Sequence, residues 1–269
     1  MVCGRKDGME EKGKVPEIFN ERVQAFIVVL FYRGLKKCFG ARGVQAFVQG
    51  TQSYGEQRGR RMAQRAIRAG EELTLETYLR RGEWVNTDKI RAEGIANKAE
   101  LTDAAPEYSA AYPDYIKKVT VCPWHEQFKE MDALEAGQLY CRHIDPSLFR
   151  GFNPVLSYEV PQNLNQGVCC YHIVRNGYEA VRAAEGSGEG AAPRKMPGKD
   201  PAGLRSFEYH CADSYWGYRR TAERIFGAEG TAASEQVLLQ VGGTYGKEAA
   251  ERLLQYKNTD FTSCDSREV

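Results

Sequence analysis

The sequence Phe-Gly-Ala-x-Gly occurs twice in this chain, at 39–43 and again at 226–230, and each copy leads through an apolar run to a Tyr-Gly, at Tyr54 and at Tyr245. The offset is 187 residues at the phenylalanines and 191 at the tyrosines, and four extra residues are about one helical turn. Ahead of the first copy, Phe19, Val23, Phe26, Ile27 and Leu30 recur at helical spacing; behind it, Val44, Phe47, Val48, Thr51 and Tyr54 do the same. Each copy therefore predicts a helical hairpin. Two such hairpins can pack on one another about a pseudo-twofold, as the subunits of a dimer would, with Gly43, Gly50, Gly230 and Gly242 permitting close approach.

Between the copies the pattern changes. Residues 116–121 are rich in β-branched side chains and run into Cys122-Pro123, which predicts a strand ending at a helix. Residues 155–160 and 168–174 read as two more strands, joined by a polar link in a hairpin. The fold class expected is α+β, a small antiparallel sheet with helical hairpins packed on it and the N- and C-terminal helical units forming a pseudo-repeat. The expected divisions are a disordered tail over 1–15, a core over 16–184, a flexible Gly/Ala/Pro/Lys-rich linker over 185–203 and a C-terminal helical repeat over 204–269.

Charge and hydropathy exclude several function classes. Lys plus Arg number 37 against 36 Asp plus Glu, so there is no global field for nucleic acid or an anionic membrane. The basic face at 60–67 reads as solvated helix surface. The longest apolar stretch, 26–31, is too short to span a bilayer, and no apolar leader precedes it, so the expected location is the cytoplasm. In that compartment the 8 cysteines are expected as free thiols, ligands or nucleophiles.

Three of the 4 histidines and half of the cysteines fall in one run: Cys122-Pro-Trp-His125, Cys141-Arg-His143-Ile-Asp145 and Cys169-Cys170-Tyr-His172. Pro123 places Cys122 at a helix N-cap, where the dipole and unpaired amides favour thiolate, and His125 follows within one turn to exchange its proton or share a metal. Cys141 and Asp145 share a helix face if their segment is helical, although Asp145-Pro146 also has the form of an N-cap followed by N1. Cys169 and Cys170 point to opposite sides of a strand, so only one can join a site. The spacing resembles paired zinc ligands in mixed form, with Cys122, His125, Cys141 and Cys170 as the metal set.

Cys122-Pro-Trp-His125, Gly137-x-x-x-Cys141-x-x-Ile-Asp145, Gly151-Phe-Asn-Pro154 and Gly167-x-x-Cys170 occur in the order found in the L-2-amino-thiazoline-4-carboxylic acid hydrolase family, which this stretch resembles. Upstream, Tyr54-Gly-x-x-x-Gly59 and Leu73-Thr-Leu-Glu-x-Tyr78 resemble the helices that precede the motif there. The resemblance implies a hydrolase opening a cyclic C–N bond of a thiazoline-like ring amidine or amide. Cys122 or Cys141 would be nucleophile or metal ligand, His125 the proton carrier, and Asp145 would orient His125 or activate water. Tyr54, Arg58, Trp124, Arg142 and Asn153 are the expected substrate contacts, the two arginines gripping a carboxylate. The family is also distantly similar to vinyl-reductase-type ligand-binding domains, which implies the rival reading: a non-catalytic binding or sensor module with a cysteine-ligated structural zinc. The expected partners are a small-molecule substrate and a second copy of the chain, with neither nucleic acid nor membrane.

Overall fold

Asn20 starts the first helix, its Oδ1 accepting the backbone N–H groups of Arg22 and Val23 at 2.9 and 3.2 Å. The computed structural model describes residues 17–85, 87–94, 115–175, 198–266 and 268. Helix α1 (Glu21–Phe39) meets α2 (Ala41–Arg68) at Gly40, whose φ of 59° is one that a residue with a side chain rarely adopts. The second hairpin, α6 (Phe207–Phe226) and α7 (Ala228–Tyr245), turns at Gly227 with φ 60°. At Gly43 an added Cβ would run into the backbone of Leu35, and at Gly230 into that of Ala222, again 187 residues on.

The two hairpins are related by a pseudo-twofold. Phe39 stacks on Phe226, its own counterpart, with ring centroids 3.7 Å apart and planes 4° from parallel, and Phe31 stacks on its counterpart Tyr218 at 5.0 Å. A residue that touches its own equivalent lies beside the axis, as in a symmetric dimer. The symmetry ends at the Tyr-Gly landmarks. Tyr54 lies in the middle of α2, whereas Gly246 takes φ 92° and breaks α7 so that α8 (Lys247–Gln255) folds back. Gly50 accordingly faces the Tyr218 ring, but Gly242 faces Ala250 of α8 and makes no equivalent inter-hairpin contact.

Three further helices pack against α1 and α2. Helix α3 (Leu75–Arg81) is capped by Thr74, α4 (Pro123–Glu130) follows Cys122, and α5 (Leu134–Phe152) runs unbroken through Pro146. Asp145 is therefore inside a helix and caps nothing, contrary to the N-cap alternative. Helices α2 and α5 touch backbone to backbone: an added Cβ at Gly55 would lie 2.7 Å from the Ile144 carbonyl oxygen, and one at Gly59 2.6 Å from the Phe152 nitrogen. This approach sets Arg58 and Asp145, from two different helices, beside one cavity.

The sheet is antiparallel, in the order β1 (Arg91–Gly94), β2 (Tyr115–Val121), β4 (Cys170–Arg175), β3 (Ser157–Gln162). Three of these strands match expectation within two residues; β1 is additional. Strands β3 and β4 begin later than expected because Val155 and Val168 are exposed in the connections. The sheet lies against α5, where the Phe149 and Tyr158 rings stand 4.1 Å apart.

The basic face of α2 is a correction. Arg60 and Arg68 are exposed, but Arg58 and Arg61 are 1% exposed and bound to carboxylates from distant parts of the chain. The expected tail over 1–15 and residues 185–197 of the expected linker lie outside the described residues, while 201–203 form a short 3-10 turn. Among the described residues no helix is long and apolar enough to cross a membrane.

Candidate active site

Strand register determines which side chains meet. Lys117 of β2 lies directly across from His172 of β4, Val119 across from Cys170, and Tyr158 of β3 across from Val174. Alternation along the strands puts Lys117, Cys170, His172, Val174 and Tyr158 on one face. Asp145 of α5 reaches that face, with Oδ2 3.7 Å from His172 Nδ1, and the Tyr158 hydroxyl is hydrogen-bonded to the same nitrogen at 2.7 Å.

Asp145, Lys117 and Tyr158 line a cavity of about 480 Å³, which Arg58, Trp84 and Lys199 also border. Burial pushes the Lys117 ammonium below the usual lysine range, and Asp145 only partly offsets it. Burial, with Lys117 and Arg58 nearby, lowers Lys199 to about 8. His172 is lowered mainly by burial, so its ring is neutral near pH 7. The cavity is thus lined by three cations, Arg58, Lys117 and Lys199, and three carboxylates, Glu83, Glu93 and Asp145, and Tyr158 links it to the neutral His172 ring.

Beside it is a thiol cluster. Cys122 is the N-cap residue of α4 with Pro123 at the first helical position, as the sequence predicts. Its thiol is not activated there: burial raises it, outweighing the backbone N–H groups of His125 and Trp124. Cys141 is pushed up by burial and then by Cys170, Cys122 and Asp145, and Cys170 is raised to about 12 by burial. Asn165, in the β3–β4 turn, joins two expected site residues, donating Nδ2 to Cys141 Sγ at 3.5 Å and holding His125 Nδ1 with its Oδ1 at 3.1 Å. Leu164 N–H donates to Cys170 Sγ at 3.3 Å.

The expected zinc set does not assemble. Among the described residues no group of three or more His, Cys, Asp and Glu side chains is placed to hold a metal ion, and the His125 ring is bonded to Asn165. The low-pKa thiol is corrected likewise. In alkylation at pH 7, exposed Cys38 should be modified well before Cys122, Cys141 and Cys170. Peptide mapping with Cys122 labelled first would contradict this account.

Of the expected substrate contacts, Arg58 borders the cavity. Tyr54 and Trp124 instead hold the buried Gln24, which donates Nε2 to the Tyr54 hydroxyl at 2.7 Å and accepts Trp124 Nε1–H at 3.0 Å. Arg142 is exposed, and Asn153 ends α5 with its Nδ2 donated to the Leu73 carbonyl at 2.8 Å. Sequence reasoning missed Lys117, Tyr158, Asn165 and Lys199 and gave His172 no role. A signal for His172 was present, since every second residue from Cys170 shares its face.

No curated protein and no solved structure matches the chain. A family model described as L-2-amino-thiazoline-4-carboxylic acid hydrolase matches residues 20–173, more than half of the 269, and spans Arg58, Lys117, Asp145, Tyr158 and His172 while leaving out Lys199 and the C-terminal hairpin. This match, over more than half of the chain, places it in the L-2-amino-thiazoline-4-carboxylic acid hydrolase family.

Proposed function

We propose that the protein hydrolyses a carbon–nitrogen bond in a small ring that bears a carboxylate, a thiazoline-like amidine or amide, and that the reaction takes place in the cavity over β2 and β4. The observation that carries this reading is the position of Asp145, in the cavity wall with Lys117 and within 3.7 Å of a neutral histidine. Family membership supports hydrolysis, and the family's name supports the ring.

The steps follow from these groups. Lys117 and Lys199, whose ammonium charges burial disfavours, bind the substrate carboxylate. Asp145 takes a proton from water as its oxygen attacks the sp² ring carbon, forming a tetrahedral centre. In a ring amidine the C=N nitrogen must gain two protons. The Tyr158–His172 pair protonates it as the tetrahedral centre forms and is reprotonated by Asp145. Asp145 then takes the hydroxyl proton of that centre as the C=O forms, while the pair gives the second proton to the nitrogen and the ring C–N bond breaks. The proton on Asp145 returns to that pair, restoring the starting state. Burial of the thiols argues for water as the nucleophile. Cys122, Cys141 and Cys170 then act as packed walls, with Asn165 fixing the orientation of His125.

Lys117→Met tests the carboxylate contact. Losing one charge-assisted contact should raise KM by about tenfold to a hundredfold, with kcat changed far less. Steady-state kinetics with 2-aminothiazoline-4-carboxylate would show this, and an unchanged KM would remove Lys117 from the binding role.

A further inference from the structure

Charged and apolar side chains both line the cavity. Arg58, Lys117 and Lys199 are close enough for the first two to lower the third. Another stretch of the wall is drawn from a second apolar cluster, separate from the main core, in which Leu75 and Leu79 of α3 meet Leu148 and Phe149 of α5. Along that wall the rings run in a row: Tyr78 to Phe149 at 3.8 Å and Phe149 to Tyr158 at 4.1 Å, and all three border the cavity. A bare five-membered ring acid held at the cations fills well under half of 480 Å³, a volume in the range of drug-sized ligand sites (about 300–1,000 Å³). It would leave the less buried apolar lining, Tyr78, Leu79 and Val85, in contact with water, which is unfavourable for apolar surface.

We infer that the natural substrate is a ring acid carrying an aryl substituent, with the carboxylate on Lys117 and Lys199 and the aryl group laid along Tyr78 and Leu79. This rests on the reading that a ring acid binds in this cavity. The aryl ring continues the Tyr78–Phe149–Tyr158 row in offset or edge-to-face contact, the arrangements aromatic pairs prefer. Leu79, partly buried at the edge of the apolar cluster, then sets how large a substituent is accepted.

Binding is the test, because it does not depend on turnover. L-Proline and 4-phenyl-L-proline are ring acids with no C=N bond to hydrolyse, and calorimetry of each with the full chain gives a matched pair of Kd values. The phenyl compound should bind roughly tenfold tighter or better, the scale at which hydrophobic pockets discriminate. Leu79→Trp should remove that gain while leaving proline within about twofold, and Lys117→Met should weaken both ligands alike. Should Leu79→Trp fail to fold, Leu79→Gln makes the same wall polar and should have the same effect. Equal binding of the pair, tighter binding of proline, absence of binding by both, or a phenyl gain that survives the Leu79 change would each overturn the inference. A preserved phenyl gain in a protein that opens no ring amidine would instead overturn the hydrolase reading and leave the aryl site standing.

Discussion

Asp145→Asn should give a folded protein whose ring-opening rate has fallen by about a hundredfold or more, the scale of losing general acid–base assistance. Asp145 lies inside α5 and caps no helix, and Asn and Asp have similar helical propensity, so stability should change little. The chemistry changes sharply, because an amide takes no proton from water at neutral pH. Circular dichroism and denaturant titration would establish the fold, and kcat the function. A folded variant with near-normal kcat would move the base elsewhere and leave Asp145 as a charge opposite Lys117.

Glu83→Gln should be strongly destabilising. Glu83 is 1% exposed and follows α3, where it accepts Arg61 Nε and Nη2 at 3.0 and 2.8 Å and Arg65 Nη2 at 3.0 Å, with Arg58 Nε at 3.6 Å. Burial alone would raise its pKa, but Arg61, Arg65 and Arg58 outweigh burial and hold the carboxyl well below the usual range. Removing the charge leaves buried guanidiniums without their shared partner, at a cost of about 3–5 kcal/mol. Asp213 provides the contrast. It accepts from Arg61 at 2.7 Å, yet burial pushes it up to about 6, toward its neutral form, so Asp213→Asn should cost far less.

The two carboxylates have opposite pH signs. Glu83, depressed on folding, contributes stability present above its unfolded value near 4.5 and lost as pH falls toward its folded pKa. Asp213, raised on folding, contributes stability present below its unfolded value near 3.8 and lost as pH rises through about 6. Denaturant midpoints at pH 7 for the two variants would separate them. A Glu83→Gln protein as stable as Asp213→Asn would mean that the arginines find other partners.

The hairpins were legible because their signals are local. Phe39, Gly40 and Gly43 recur with their spacing intact, and those residue types are what a tight helix–helix turn requires. Cys122 at a helix N-cap was legible for the same reason, from Pro123 beside it. The state of its thiol was not, because burial comes from the whole fold and here outweighs the local amides. The buried face of α2 was hidden similarly: Arg61 finds Glu83 and Asp213 at sequence separations of 22 and 152, and a run of arginines carries no sign of such distant partners. The cavity cations escaped for a different reason. Lys117 and His172 face each other only through the β2–β4 register, and Lys199 joins them from beyond the family match.

The most direct test is to incubate the purified full chain with L-2-amino-thiazoline-4-carboxylate and a series of its ring-substituted relatives, following each by mass spectrometry. The account predicts that at least one ring acid is converted to an open product heavier by one water, at a rate proportional to enzyme and lowered about a hundredfold or more by Asp145→Asn. Binding of those acids without conversion of any of them would contradict it and make the cavity a ligand-binding site with no hydrolytic step.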